Sequence, residues 1–382
     1  MTLAEVGGAQ SYVRDLVDGA GEAGFDVAVA AHGEGPLKTA AAELGVPFFP
    51  LTQVRRKVSP LHDPLGIVEL IRLFRRLRPD VVHLNSSKAG VLGRIAAFAS
   101  RVPVRIFTAH GWAFKAAAGF DSRLYLLADR AVEPLTSMVI CVSENERRAG
   151  LAAGVCSAKR SIVIRNAVEV GAAPSRAGGD ETPVQVVSVG RLAPPKDFST
   201  LVTAVARLPE GRAHLRIVGD GPLRDELEAQ TRALGIAAAV EFVGEVPDAR
   251  LCLGDADVFV LASLSEGMPV SVLEAMASGL PVVASAVDGL DEVVVEGWTG
   301  FLTPPGDAAA LAAGIDRLVD DPALRKAFGE AGRARAEEHF SLPAWREAHF
   351  SLYRSLLADR GWQPRNEPDA IGSPISQKNS HT

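Results

Sequence analysis

The chain has 382 residues, 47% of them apolar, and a formal net charge of −6. That length implies two domains of about 100–200 residues each, the negative balance argues against nucleic-acid binding, and no run of 18 apolar residues reads as a membrane helix. Three cysteines, Cys141, Cys156 and Cys252, are scattered and odd in number, which fits core residues in a reducing compartment rather than a disulfide or metal framework.

Residues 1–10, MTLAEVGGAQ, leave almost no chain for a strand ahead of a helix expected over Ser11 to Ala20, although a glycine-rich turn opening a helix normally follows one. The Gly7–Gly8 pair suits a turn that lets backbone approach a ligand closely. Strands are then expected at Phe25–Ala31, Val46–Leu51, Val81–Asn85, Val104–His110, Met138–Ser143 and Ser161–Asn166. Helices are expected at Pro36–Leu44, Pro64–Leu77, Ser87–Ala99, residues 121–133 and from Glu144. Such alternation implies a parallel sheet with helices on both faces and ligands at the carboxyl ends of its strands. His110 stands at one such end, beside Gly111. Residues 1–170 hold 21 basic and 16 acidic side chains against 19 and 30 in the remainder. Clusters at Arg55–Arg56–Lys57 and at Arg72, Arg75, Arg76 and Arg78 suit either a solvated helix face or anionic lipid headgroups.

Residues 169–183 are small, polar and rich in Gly and Pro, a linker composition. A second alternating run follows. Strands are expected at Val184–Val189, Leu215–Val218, Val240–Val243, Asp257–Leu261, Val282–Ser285 and Thr299–Leu302. Helices are expected at Asp197–Leu208, Leu223–Leu234, residues 289–295, Ala308–Val319, Ala323–His339 and Ala344–Leu357, and the tail to residue 382 reads as disordered. Arg191 and Lys196 flank the turn after the first of these strands, where cations neutralise a diphosphate.

One stretch organises the rest: residues 263–285, SLSEGMPVSVLEAMASGLPVVAS. A polar loop, Ser263 to Gly267, follows a buried strand, and Pro269 suits the first position of a helix that Gly279 ends. Glu266 lies on the loop and Glu274 in the helix, eight positions on. On one helix axis that spacing is about 12 Å, too wide to flank one glycosidic bond but suited to the two ends of an elongated ligand. Between them lies a helix N-terminus, an anion site. Carboxylate, main-chain amides and carboxylate match a sugar joined through a diphosphate to a ribose.

With the flanking SEGMP and EAMASGLPVV, this stretch resembles the signature of retaining glycosyltransferases of family 4, polysaccharide-biosynthesis type. The resemblance covers residues 5 to about 357. It implies a GT-B fold, two doubly wound, Rossmann-like parallel-sheet domains facing across a cleft. Residues 1–168 would be the acceptor-binding domain, with most of its first, central strand missing and with helix 344–357 crossing back onto it. Residues 169–183 would be the linker, 184–343 the nucleotide-sugar-binding domain and 362–382 the tail. It further implies that Glu274 binds ribose hydroxyls, Glu266 sugar hydroxyls, and that GRL…K, with Arg191 and Lys196, clamps the donor phosphates. His110 would reach the donor sugar, Gly8 position it, and Gly244 lie near the nucleobase. Gly267, Met268, Pro269 and Val270 would complete the donor site. The expected reaction moves a hexosyl group from a UDP- or GDP-sugar to a glycan or lipid-linked acceptor with retention, without metal or other cofactor. The location is expected to be cytoplasmic, with peripheral contact at the inner face of the plasma membrane. Two alternatives stand beside it: an epimerase of the same fold, which would release nucleotide without an acceptor, and an inactive nucleotide-sugar-binding protein.

Overall fold

The structure, a computed structural model, describes residues 2–3, 8–33, 35–55, 58–116, 119–171, 182–246 and 248–362. The first half runs β1 (Thr2–Leu3), α1 (Gly8–Ala20), β2 (Val29–His32), α2 (Pro36–Glu43), β3 (Phe48–Leu51), α3 (His62–Leu77), β4 (Val81–Leu84), α4 (Ser87–Ala99), β5 (Val104–Ala109), α5 (Ala113–Ala116), α6 (Gly119–Val132), β6 (Met138–Cys141), α7 (Glu144–Ala152) and β7 (Ser161–Val163). The second runs β8 (Val184–Val189), α8 (Phe198–Val205), β9 (Ala213–Val218), α9 (Arg224–Ala233), β10 (Val240–Gly244), β11 (Val258–Leu261), α10 (Val270–Ala277), β12 (Val282–Ser285), α11 (Leu290–Val293), β13 (Gly300–Thr303), α12 (Ala308–Asp320), α13 (Pro322–His339) and α14 (Leu342–Ala358).

The second half is one six-stranded parallel sheet ordered β10-β9-β8-β11-β12-β13. Its central strands carry apolar residues at nearly every position because helices cover both faces: β11 and β12 are buried throughout. Leu201, Leu215, Val260 and Ile315 fill one face, and Phe259, Val272, Met276 and Val282 the other. Aspartates placed one residue ahead of the helices accept their first free amides: Asp197 on α8, Asp307 on α12 and Asp321 on α13. The strand order reverses between β8 and β11, and a crevice opens beyond the carboxyl ends of strands at such a point.

The first half departs from a single sheet. β1, β2 and β3 form one parallel sheet, and β4, β5, β6 and β7 another. Among the described residues β1 hydrogen-bonds only to β2, while it touches α4, the helix after β4. The strand expected over Phe25–Ala31 is only Val29–His32. Phe25 closes α1 by donating its amide to Ala20 O (2.9 Å), and its ring stacks on Phe350 of α14 at 5.5 Å. Side-chain packing there displaces strand pairing. The last strand of this half likewise ends at Val163, and Asn166 turns away to donate to Met268 O (2.7 Å).

Helix α14 packs on the first half, where Trp345, Phe350 and Tyr353 join Tyr12, Val13, Ile106 and Ile140 in one buried cluster. The chain passes between the halves at Val168 and Ser341, which run side by side: Val168 N donates to Phe340 O (2.9 Å) and Leu342 N to Val168 O (3.2 Å). Residues 172–181 of the expected linker and 363–382 of the expected tail lie outside the described residues. No helix among the described residues is long and apolar enough to cross a membrane.

Candidate active site

Two loops at the switch point are laced together by main chain. Asp197 N donates to Ala262 O (3.0 Å) and Leu264 N to Pro195 O (2.9 Å). This holds Lys196, after β8, against the loop after β11. The Lys196 ammonium then donates to Glu266 Oε1 at 2.5 Å, and Ser263 Oγ donates to the same oxygen at 2.6 Å. Both members of the ion pair are mostly buried, and Gly190 leaves the lysine stem its space, since a Cβ there would stand 3.3 Å from Lys196 Cε. Two residues read for separate roles, phosphate clamp and sugar contact, are therefore joined.

His110, just beyond β5, brings its main chain against the loop of Glu266 from the first half. A Cβ on Gly267 would stand 2.5 Å from His110 O, so the backbones of the two loops meet where only glycine fits. The His110 imidazole lies 3.3 Å from Asn85 Oδ1 and edge-on to the Tyr12 ring at 4.6 Å. Burial, with a smaller contribution from His349, pushes its pKa down to about 4. It is a neutral hydrogen-bonding group at neutral pH, not a cation.

Pro269 is the residue before α10, extended at ψ 120°, rather than its first helical residue, and no side chain caps the helix. The difference arises because Asn166 holds the Met268 carbonyl and keeps the chain extended through this point. The N-terminal amides of α10 are thus left for a ligand. The start of α1 faces them: a Cβ on Gly8 would stand 3.5 Å from Val270 Cγ2. Gly7 lies outside the described residues. The Met268 side chain is buried in the core of the second half, so only its main chain is available to a donor.

Glu274 lies deeper. It lines a cavity of about 300 Å3 between the halves with Arg14, Asp15, Val270, Arg250 and Arg346. Among the described residues its carboxylate has no hydrogen-bond partner. Burial first, then Asp248 and Asp15, outweigh Arg250 and Arg14 and raise its pKa to about 7. Arg191 and Gly244 are not drawn in with the others. Arg191 is exposed without a side-chain partner among the described residues. Gly244, at φ +85°, ends β10, and its carbonyl accepts from Gly219 N at 2.8 Å.

The metal-free expectation presupposes that no DxD spacing holds a metal-bridged diphosphate; the sequence does contain one, Asp255-Ala256-Asp257. Asp257 precedes β11, at the end of the sheet away from the crevice, and accepts the Gln185 amide at 2.8 Å. It is a structural carboxylate. Among the described residues no three metal-ligating side chains gather. Sequence reasoning missed Asp288, Lys115, Glu146 and Asn145, which join the halves beside Glu266. Only the Asp288–Gly289 turn dipeptide after β12 carried a signal.

Residues 6–171 match the family described as Glycosyltransferase Family 4, and residues 173–335 the family described as Glycosyl transferases group 1. The chain is 30% identical over 294 residues to the lipopolysaccharide core biosynthesis glycosyltransferase LpsD of Rhizobium meliloti, covering 76% of this chain and 79% of that protein. It is 29% identical over 316 residues to the UDP-Gal:alpha-D-GlcNAc-diphosphoundecaprenol alpha-1,3-galactosyltransferase of Escherichia coli, covering 78% and 81%. In fold it is similar to Anabaena Alr3699/HepE, solved with UDP and glucose, with a TM-score of 0.82 and 24% identity over 93% of this chain and 98% of that one.

Proposed function

The chain belongs to glycosyltransferase family 4, with the GT-B fold, and from that membership we propose that it moves a hexosyl group, with retention, from a nucleoside-diphosphate sugar to a glycan or lipid-linked acceptor in cell-surface polysaccharide synthesis. The observation that carries this reading is the Lys196–Glu266 pair at the switch point, on a loop that meets the backbone of His110 and runs into the uncapped start of α10. In the proposed reaction the α10 amides and Lys196 stabilise charge as the nucleoside diphosphate departs. Glu274 accepts hydrogen bonds from the ribose, Glu266 and neutral His110 hold the sugar, and the first half presents the acceptor. Glu266 is an unsuitable nucleophile for a double displacement, because one carboxylate oxygen is already bound by an ammonium and a hydroxyl. Acceptor attack on the face the diphosphate leaves accounts for retention without it. The charge set needs no metal.

A panel of UDP- and GDP-sugars with undecaprenol-linked and glycan acceptors, read by mass spectrometry and anomeric NMR, tests this. Expected is one donor cleaved with its anomeric configuration kept. Inversion defeats the retaining mechanism, nucleotide release with an epimerised free sugar favours the epimerase, and binding without turnover favours the binding protein.

A lipid-linked acceptor also calls for a membrane surface. On α3 and just before it, Leu61, Leu65 and Val68 are 69%, 48% and 41% exposed and lie in line with exposed Arg72, Arg75 and Arg76. Apolar residues beside a basic cluster suit an anionic bilayer; Arg56 and Lys57 lie outside the described residues. The chain is expected to float with phosphatidylglycerol vesicles at low salt. A Leu65→Glu/Arg72→Glu variant should stay behind, and equal flotation of both would remove the membrane contact.

A further inference from the structure

We infer that Asp288, Lys115 and Glu146 form a clasp between the halves that sets Glu266 in register with His110, acting as positioning residues for the proposed reaction. The inference rests on the roles given above to Glu266 and His110.

The path is continuous. Glu266 N donates to Asp288 Oδ2 at 3.1 Å, and Ser265 Oγ donates to the same oxygen at 2.8 Å. The other Asp288 oxygen takes the Lys115 ammonium, which comes from α5 in the first half. Lys115 also reaches Glu146 Oε1 at 2.9 Å, and Glu146 Oε2 accepts the amide of Trp112, two residues beyond His110, at 3.0 Å. Glu146 is only 1% exposed and Trp112 is buried, so this half of the clasp is rigid. Asn145, on the same helix as Glu146, donates its side-chain amide to the Asp288 carbonyl and its main-chain amide to Glu292 Oε1 (3.0 Å). The loop carrying Glu266 and the loop carrying His110 are thus tied through one lysine. They are tied where Gly267 already brings their backbones into contact.

The backbone at Asp288 argues that its carboxylate is there for a reason. Its φ is +43°, left-handed, where a residue with a side chain is disfavoured and glycine is the usual solution. Aspartate tolerates that region better than most residues, but glycine would fit it better still. What aspartate adds over glycine is the bond to Lys115 and to the Glu266 amide. Ionisation agrees with this. Burial alone would disfavour the charge on both groups, yet Lys115, Ser265 and the Glu266 amide hold the Asp288 carboxyl below its ordinary range, and Asp288 with Glu146 holds Lys115 above its own.

The test is Asp288→Gly, which removes the carboxylate and relieves the backbone, so that folding is kept. Lys115→Met is the second variant. Amide hydrogen exchange needs no turnover. In Asp288→Gly the Trp112 amide, which Asp288 does not touch, is expected to exchange at least 10-fold faster, as is Glu266 in Lys115→Met. Core-strand amides such as Val260 stay unchanged. With whichever donor the wild type cleaves, kcat falls at least 10-fold while affinity for the nucleoside diphosphate stays within twofold. Unchanged Trp112 exchange in Asp288→Gly, or an unchanged kcat, overturns the clasp. A wild-type chain that cleaves no donor defeats the transferase reading instead, and the exchange result still decides whether the clasp exists.

Discussion

Lys196→Ala is expected to fold normally and to slow donor cleavage by about 10²–10³-fold, the loss typical of removing one group that stabilises developing charge. The fold should survive because the loop carrying Lys196 is held by main-chain bonds, Asp197 N to Ala262 O and Leu264 N to Pro195 O, neither of which uses the lysine side chain. Glu266 keeps its bond from Ser263 Oγ at 2.6 Å, so its position changes little while its counter-charge is lost. The deficit should therefore fall mainly on kcat, not on KM, since the diphosphate gains most charge as it leaves. Lys196→Arg should restore only part of the rate, because a planar guanidinium does not place one compact charge as an ammonium does. Single-turnover kinetics with the accepted donor make the measurement, and a Lys196→Ala rate within threefold of wild type would falsify the assignment.

Glu274→Gln is expected to give opposite effects on stability and on binding. In the free protein burial raises the carboxyl pKa from 4.5 to about 7, so the folded state holds a proton that the unfolded chain has released anywhere between those two values. A state that binds more protons loses stability as pH rises. The wild type should therefore lose stability from about pH 4.5 to 7 and level off above. The glutamine variant lacks that decline and should be the more stable protein at pH 8, by about 2 kcal/mol once water reaching the cavity is allowed for. Binding runs the other way. Only the ionised carboxylate accepts from both ribose hydroxyls, and hydrogen bonds to a charged group contribute about 1.5–3 kcal/mol. Donor KM should fall between pH 6 and 8 in the wild type. In the variant it should be flat and about 10–100-fold higher at pH 8. Thermal melts and initial rates over that range decide it, and a wild-type KM independent of pH would place Glu274 outside the donor site.

Most of the secondary structure was legible because it depends on local rules. β8 and β12 run as the apolar pattern predicts, and α4 occupies its expected span of Ser87 to Ala99. Buried parallel strands announce themselves as unbroken Val/Ile runs, and aspartates ahead of α8, α12 and α13 announce helix starts. The misreadings sit where distant side chains intervene. Phe25 reads as a strand residue until α14, more than 300 positions on, stacks Phe350 against it. Pro269 reads as a first helical residue until Asn166 holds the preceding carbonyl.

The sequence by itself determined the alternating α/β plan, the family resemblance and the identity of the candidate groups on the stretch from Ser263 to Ser285, because composition, periodicity and motif are properties of neighbours in the chain. Only the tertiary structure decided that Lys196 and Glu266 are one ion pair, that His110 is partly buried and neutral, that Glu274 has no hydrogen-bond partner among the described residues, and that Asp288 and Lys115 join the halves. Those facts depend on which charges meet and how much water each one loses, and partners 70 or 173 residues apart are brought together by the packing of the sheets and the return of α14, not by any local pattern.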